Sequence, residues 1–187
     1  MANEPDENET DANEDGHIEE IGGRWRLRFT RRLAHSPAKV WRAITEPEHL
    51  KAWFPDEIEG RFERGAVLRF VSEYRPNSLF EGEVIEFEPP SVLEFRWDTN
   101  ETLRFEIRPD GDGSVLTFLD TFDELGKAAR DGAGWHACLD VLAYDLDGAT
   151  PPWEAGAHWN EVHDGYVERF GPEASSVGPP AEHPYVS

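Results

Sequence analysis

One acidic residue stands out because the residues around it alternate as in a half-buried strand. Asp120 shares its parity with Leu116, Phe118 and Phe122. If that face points into the protein, Asp120 is a buried carboxyl group with a raised pKa, and it could act as an acid or a base. If the other face points inward, Asp120 is solvated. The sequence alone leaves both alternatives open.

The second candidate for acid–base chemistry is a histidine in a helical stretch. His136 follows Trp135, about 100° around the helix from the apolar positions. It could donate a proton at the entrance of a pocket. A histidine at such a position more often lies at the surface or caps the helix. Asp120 and His136 are therefore the two candidate catalytic residues.

The remaining histidines and the short motifs indicate no metal site. His158 and His163 are five residues apart, so a helix does not place both imidazoles on one face, even with Glu161 between them. The sequence contains no HExxH, no CxxC, no glycine-rich phosphate loop and no nucleophile elbow. We therefore predict no metal, no cofactor and no covalent catalysis.

A larger group of apolar side chains could line an interior pocket. Its members face one side of predicted strands or helices and are mostly aromatic. They are Trp53, Phe54, Leu68, Phe70, Phe95, Trp97, Phe105, Trp135 and Leu139. Such a lining suits a hydrophobic or aromatic ligand. The alternative is that these residues contact one another and form a filled core.

These residues belong to a series of strands interrupted early by two short helices. Trp25, Leu27 and Phe29 alternate with a row of arginines, which predicts a half-buried strand. The arginine row could bind an acidic partner or the chain's own acidic tail. Ser36 as N-cap and Pro37 in the first turn open one helix, and a second follows over Glu48 to Trp53. The later strands are predicted at 58–62, 66–73, 79–88, 92–97, 102–108 and 114–122, which gives six or seven strands in an antiparallel meander.

A long helix follows the last strand. Trp135, Leu139, Leu142 and Leu146 are spaced by four, three and four residues and share one helix face. Glycines at 132 and 134 weaken its first turns, so we expect the firm part to start near 131 and Gly148 to cap it. Another helix is predicted from 158 to 170.

Charge divides the chain into a folded middle and two tails. The 187 residues carry a formal net charge of -21, and nine of the 39 acidic residues lie in the first 20 positions, without any Lys or Arg. We predict a disordered acidic tail at 1–20, a folded domain at 21–148, an additional helical segment at 149–172 and a flexible tail at 173–187. The negative charge argues against binding to nucleic acid or to anionic membranes.

Targeting signals are also missing from the sequence. It has no apolar run of about 18 residues, so no membrane span is expected. Its first 20 residues lack the basic and apolar parts of a signal peptide, and its single cysteine excludes an internal disulfide. We therefore expect a cytoplasmic protein.

Two segments carry a resemblance to a known family. Residues 38–54, AKVWRAITEPEHLKAWF, are similar to the Val-Trp, Pro-Glu and Leu-x-x-Trp-Phe pattern of START-like (SRPBCC) proteins. Within these they resemble the branch related to the C-terminal domain of the activator of Hsp90 ATPase. Residues 134–140, GWHACLD, resemble the segment that opens the last helix in many bacterial members. The resemblance covers about residues 24–148 and implies an α+β helix-grip fold, in which a curved antiparallel sheet wraps around a long C-terminal helix.

The resemblance implies several functions, because the family includes lipid and hormone binders and polyketide cyclases. Our first hypothesis is a protein that binds a small hydrophobic or aromatic molecule in a cavity between sheet and helix, without catalysis. One alternative is a protein-interaction module like an Hsp90 cochaperone. Another is a cyclase- or hydrolase-like enzyme that uses polar groups in the cavity. The additional segment could also serve a homodimer.

Overall fold

The computed structural model describes residues 15–72 and 79–178. Residues 1–14 of the predicted acidic tail, residues 73–78 and residues 179–187 lie outside this part. The strands are β1 (His17–Ile21), β2 (Arg24–Leu33), β3 (Asp56–Glu59), β4 (Val67–Ser72), β5 (Leu79–Glu88), β6 (Val92–Arg96), β7 (Thr102–Asp110) and β8 (Gly113–Phe122). The helices are α1 (Pro37–Ala43), α2 (Pro47–Trp53), α3 (Ala128–Asp147) and α4 (Ala155–Phe170).

The eight strands form one antiparallel sheet in the order β1-β2-β8-β7-β6-β5-β4-β3. The meander from β3 to β8 brings the last strand beside β2, and α1 and α2 connect β2 to β3. Helix α3 packs against α1, α2 and β2. This confirms the predicted α+β fold with two short helices and a long helix that follows the sheet.

The first strand overlaps the end of the predicted acidic tail at 1–20, because β1 begins at His17. β1 pairs with β2 along its whole length. Glu19 on β1 lies 3.3 Å from Arg28 and 3.8 Å from Arg26, so one acidic residue meets the arginine row of β2. Opposite charges across two strands favour this pairing. Composition alone suggested disorder because β1 has almost no apolar side chains to bury.

The inner face of the sheet is apolar and lies under α3. Phe29, Phe118 and Phe105 form one row across β2, β8 and β7, and all three are buried. Leu139 and Leu142 of α3 are also buried. A fully buried side chain of this size contributes about 1.5–3 kcal/mol. Burial of the inner sheet face against the apolar face of α3 holds the helix against the sheet.

Helix α3 starts at Ala128, about one turn before the predicted firm part. Gly132 lies within the helix and faces the ring of Tyr166 on α4. A Cβ atom at Gly132 would lie only 3.1 Å from Tyr166 Cδ1. This glycine therefore marks a close helix–helix approach. The predicted cap is confirmed, since Gly148 ends the helix with φ 66°.

The segment after α4 is partly ordered, in contrast to the predicted flexible tail at 173–187. A 3₁₀ turn covers Glu173–Ser175, and Ala174 is buried. The N–H of Val177 donates to the carbonyl of Gly126 at 3.0 Å. These contacts fasten the end of the described chain to the start of α3.

Among the helices of the described residues, none combines the length and the apolar character that a membrane crossing requires.

Candidate functional site

The sheet register places Asp120 in the middle of the apolar inner face. Asp120 lies on β8 between Leu27 of β2 and Leu103 of β7. Its side chain is fully buried. Of the two alternatives for this strand, the one that turns Asp120 inward is therefore the observed one. The indole Nε1–H of Trp135 on α3 donates to Asp120 Oδ2 at 2.9 Å.

Asp120 belongs to a buried group of three acidic residues, which we call the carboxyl cluster: Glu101, Asp120 and Asp131. One carboxyl oxygen from each lies within 4.8 Å of the others. The ammonium group of Lys127 contacts Glu101 Oε2 and lies 2.9 Å from Asp131 Oδ2. Arg130 Nε lies 2.6 Å from Asp131 Oδ1. Lys127 thus pairs with Glu101 and Asp131, and Arg130 pairs with Asp131. Asp120 instead accepts a hydrogen bond from the indole of Trp135.

Three buried oxygens of this cluster accept no hydrogen bond from an N–H group of the described residues: Glu101 Oε1, Asp120 Oδ1 and Asp131 Oδ2. Asp131 Oδ2 still lies 2.9 Å from the ammonium group of Lys127. Burial raises the pKa of Asp120 well above its usual range, and the charge of Glu101 raises it further. Burial also raises the pKa of Glu101, although Lys127 partly offsets the shift. A proton on either carboxyl group makes it a donor to the other, so the pair can share one hydrogen bond.

Lys127 is held in its charged form by the same cluster. Burial lowers the pKa of Lys127, but the carboxylates of Asp131, Glu101 and Asp120 outweigh burial and raise it. Its ammonium group also lies 4.7 Å from the centre of the Phe122 ring. The cluster therefore combines a charged Lys127 with two carboxyl groups, those of Glu101 and Asp120, whose pKa values are raised.

Trp135 connects the carboxyl cluster to a larger group of rings. Its ring centre lies 4.8 Å from that of Phe118, 5.2 Å from Trp97 and 5.8 Å from Phe54. Such separations are typical of tilted and edge-on aromatic pairs. We call this group the aromatic cluster, and it consists of Trp53, Phe54, Phe70, Phe95, Trp97, Phe105, Phe118 and Trp135.

All nine residues predicted to bind a ligand lie in or against the same hydrophobic core. Eight of them are buried, and Trp97 is half-buried. The indole N–H of Trp97 donates to Asp56 Oδ2 at 3.0 Å, and that of Trp53 donates to the carbonyl of Ala43 at 3.0 Å. The three tryptophan N–H groups are thus all bonded, and they fix the orientation of the rings around α3.

His136 lies in a different place from Asp120, between α3 and α4. Its Nδ1 is 3.0 Å from the hydroxyl of Tyr166, and its Nε2 is 3.3 Å from Asp140 Oδ2. His158 Nε2 on α4 lies 2.8 Å from the same oxygen of Asp140. We call His136, Asp140 and His158 the imidazole cluster. His163 is not part of this cluster. Its ring stacks on that of Trp159, with centres 4.4 Å apart.

Asp140 is surrounded by positive or proton-donating groups. Arg31 on β2 is buried and its guanidinium lies 3.2 Å from Asp140 Oδ1. Burial alone would raise the pKa of Asp140, but hydrogen bonds and charge from His136, with His158 and Arg31, outweigh it and lower the pKa. The structure thus keeps Asp140 ionised.

Several residues of the two clusters were not candidates from the sequence, among them Glu101, Lys127 and Asp140. Glu101 and Lys127 lie near the ends of elements, and nothing in their local sequence indicates that they meet Asp120. The spacing of His136 and Asp140, four residues on one helix, was a usable signal of a shared face. His158 joins them only through the packing of α4 on α3.

Comparisons with solved structures identify the same fold. A conserved protein of unknown function from Enterococcus faecalis is 20% identical, with a TM-score of 0.69 over 84% of this chain and 92% of the other. CalU16 from Micromonospora echinospora is 20% identical, with a TM-score of 0.65 over 83% and 95%. A protein from Bordetella parapertussis is 23% identical, with a TM-score of 0.61 over 84% and 92%. At these identities the likeness concerns the fold alone.

Sequence comparisons give a family as well. None of the curated proteins matches the chain. Residues 34–146, more than half of the chain, match the family described as activator of Hsp90 ATPase homolog 1-like protein. This range runs from the first short helix almost to the end of α3 and includes Asp120, Trp135 and His136. The chain therefore belongs to the family of activator of Hsp90 ATPase homolog 1-like proteins.

Proposed function

We propose that this protein binds a small, mainly aromatic molecule that carries a hydrogen-bond donor, between the inner face of the sheet and α3. The observation that carries the proposal is Asp120, which is fully buried within an apolar face and has one oxygen without a partner among the described residues. The family and the fold are compatible with ligand binding and with a protein-interaction role.

The aromatic cluster supports the apolar part of the ligand. Trp97 is the half-buried member, and its ring contacts those of Phe54, Phe80 and Trp135. It is thus the place where the cluster meets solvent. Sites for small molecules are commonly lined by such rings, with a few polar groups that fix the orientation of the ligand. Entry beside Trp97 would bring a ligand against Trp135.

The carboxyl cluster supports the polar part of the ligand. Asp120 Oδ1 and Glu101 Oε1 accept no hydrogen bond from an N–H group of the described residues, so a proton shared between the two carboxyl groups is their partner. A buried acceptor that stays unsatisfied costs about 1–3 kcal/mol. An N–H or O–H group on a ligand would satisfy one of them. A ligand of similar shape without a donor would leave the acceptor unsatisfied and bind more weakly.

Fluorescence titration with a neutral aromatic amine tests the proposal. The probe is N-phenyl-1-naphthylamine, which carries one N–H donor, and its N-methylated analogue serves as the matched probe without a donor. We expect the first probe to bind more tightly, by about tenfold, since an unsatisfied buried acceptor costs about 1–3 kcal/mol and a tenfold difference in affinity corresponds to about 1.4 kcal/mol. In Asp120→Asn the preference between the two probes should shrink.

A substitution in the wall of the site complements the probe pair. Trp97→Ala should weaken binding of the amine while the circular dichroism spectrum stays folded. Trp41→Ala is the control. Trp41 lies on α1 and packs on Phe87 of β5, with ring centres 5.4 Å apart, outside the aromatic cluster. Equal affinity for both probes, or unchanged binding by a folded Trp97→Ala variant, would count against an interior site.

The same pair of carboxyl groups favours acid–base catalysis as a second candidate function. The raised pKa values of Asp120 and Glu101 leave a proton available for transfer inside an apolar site. The test is to incubate a molecule that copurifies with the protein with wild type and with Asp120→Asn, and to follow it by proton NMR. Conversion by wild type alone would support catalysis, whereas an unchanged spectrum with both would support binding only.

A further inference from the structure

The imidazole cluster brings three side chains with metal-binding atoms to one point. His136 and Asp140 are one turn apart on α3, and His158 comes from α4. Asp140 Oδ2 lies 3.3 Å from His136 Nε2 and 2.8 Å from His158 Nε2. All three atoms lie within 4.8 Å of one another.

The two distances from Asp140 Oδ2 are close to the separation of neighbouring ligand atoms around a small cation. A tetrahedral zinc ion with bonds of about 2.0–2.1 Å separates its ligand atoms by about 3.3 Å. Two imidazole nitrogens and one carboxylate oxygen form a donor set that zinc takes in open sites, with water as fourth ligand. We propose that His136, Asp140 and His158 form a binding site for a divalent zinc-like cation between α3 and α4.

A second layer of contacts orients the three proposed ligands. His136 Nδ1 faces the hydroxyl of Tyr166 at 3.0 Å and Asp15 Oδ1 at 3.5 Å, so it can donate outward while Nε2, which faces Asp140 Oδ2, exchanges that contact for the metal. The backbone N–H of Gly16 donates to the same hydroxyl at 2.7 Å. Metal-bound histidines usually have such a partner on their second nitrogen.

The other two ligands are oriented as well. The ring of His158 packs on that of Trp153 with centres 4.2 Å apart. Arg31 holds Asp140 Oδ1 and leaves Oδ2 toward the two histidines. The guanidinium lies on the far oxygen, so it orients the carboxylate without occupying the point where the three atoms meet.

Exposure and charge permit a cation to reach this site. The side chains of His136 and His158 are 13% exposed and that of Asp140 is 21% exposed, so water can reach the fourth position. The net charge of -21 also raises the local concentration of cations. The carboxyl cluster is a poorer candidate, because Lys127 already places a positive charge between Glu101 and Asp131.

Cobalt titration of the full-length protein tests the site. After treatment with a chelator, Co²⁺ is added and the visible absorption is recorded, followed by competition with Zn²⁺. We expect one Co²⁺ per chain with the intense bands of tetrahedral coordination, displaced by Zn²⁺. His158→Ala and His136→Ala should weaken binding by at least about tenfold, and Asp15→Asn by about tenfold with the bands retained. His163→Ala, on the same helix, is the matched control and should bind as wild type does.

Several results would overturn the site. Absence of tetrahedral bands, unchanged affinity in His158→Ala, or an equal loss in His163→Ala would each contradict it. If the histidine variants do not fold by circular dichroism, nitrogen-15 NMR of the wild-type imidazoles decides instead. On addition of Zn²⁺, the Nε2 resonances of His136 and His158 should shift while those of His163 stay in place. Unshifted His136 and His158 resonances would rule the site out.

Discussion

Asp120 and Asp140 are the same residue type beside the same helix, but their pKa values shift in opposite directions. Asp120 faces two other carboxyl groups, and burial and Glu101 raise its pKa. Burial acts on Asp140 too, but His136, His158 and Arg31 outweigh it and lower its pKa. Burial thus raises the pKa at both positions, and the neighbours decide the direction at Asp140, where they outweigh it, whereas at Asp120 Glu101 adds to it.

The comparison also separates two kinds of chemistry. A carboxyl group that keeps its proton can share hydrogen bonds with a neutral ligand inside an apolar site. A carboxylate that stays ionised beside two imidazoles suits a cation. The two faces of α3 therefore favour different ligands, and substitutions on one face should leave the other largely intact.

The largest expected effect comes from the ring that links α3 to Asp120. Trp135→Ala removes a buried side chain and the only described donor to Asp120, so the free energy of unfolding should fall by about 3–5 kcal/mol. Urea denaturation measures this loss. Trp153→Ala is the control on the other side of α3, because Trp153 is only half-buried and packs on Tyr144 and His158. An equally large loss in the control would contradict the distinction between the two regions.

The next effect concerns the cation that holds Asp140 ionised. Arg31→Met leaves Asp140 without its guanidinium partner, and stability at neutral pH should fall by about 2 kcal/mol. This is less than for a fully buried pair because Asp140 is partly exposed and keeps both histidines. Arg32→Met is the matched control, since Arg32 pairs with Asp110 at the surface and such pairs contribute less than about 1 kcal/mol. Thermal unfolding of both variants would show whether the adjacent arginines differ as expected.

The raised pKa of Asp120 predicts a loss of stability with rising pH. Between the usual carboxyl range and the raised pKa, the folded state holds a proton that the unfolded state has released. Stability therefore falls as pH rises, by about 1.4 kcal/mol for each pH unit in that window. Asp120→Asn should flatten this dependence in urea midpoints measured across pH, and Asp112→Asn, at an exposed turn, should not. A wild-type curve that rises through the window would contradict the buried proton.

The smallest effect is the reverse dependence at Asp140. Because the folded state lowers its pKa, Asp140 contributes stability above the usual carboxyl range, and this is lost as pH falls through the lowered pKa. Wild type should exceed Asp140→Asn by about 1 kcal/mol at neutral pH. The difference should shrink toward zero at the acidic end of the transition. A difference that persists there would show that Asp140 acts by packing and not by charge.

Much of the fold could be predicted from the sequence because local signals agreed with the tertiary structure. Alternation gave the inward face of β2, and Ser36 and Gly148 gave helix ends, as observed, whereas both faces of β8 remained possible. The errors have physical causes. β1 has too few apolar residues to be recognised and is held by pairing with β2, and Gly132 looked like a weak start although it permits a close approach of α4.

The candidate sites were harder to predict, because both depend on contacts between distant segments. Asp120 could be selected by its parity, but Glu101 and Lys127 reach it only through the sheet register and the turn that precedes α3. His158 was compared with His163 along one helix, whereas its observed neighbours His136 and Asp140 are on another. The spacing of residues within one helix or strand does not predict contacts between different elements.

Native mass spectrometry of the protein purified from its own host tests the interior site most directly. We predict a noncovalent complex of the chain with a small molecule, which is replaced when N-phenyl-1-naphthylamine is added and is diminished in Asp120→Asn. A single peak at the mass of the bare chain, which stays unchanged after addition of the probe, would contradict the proposal that the space between sheet and α3 is a binding site.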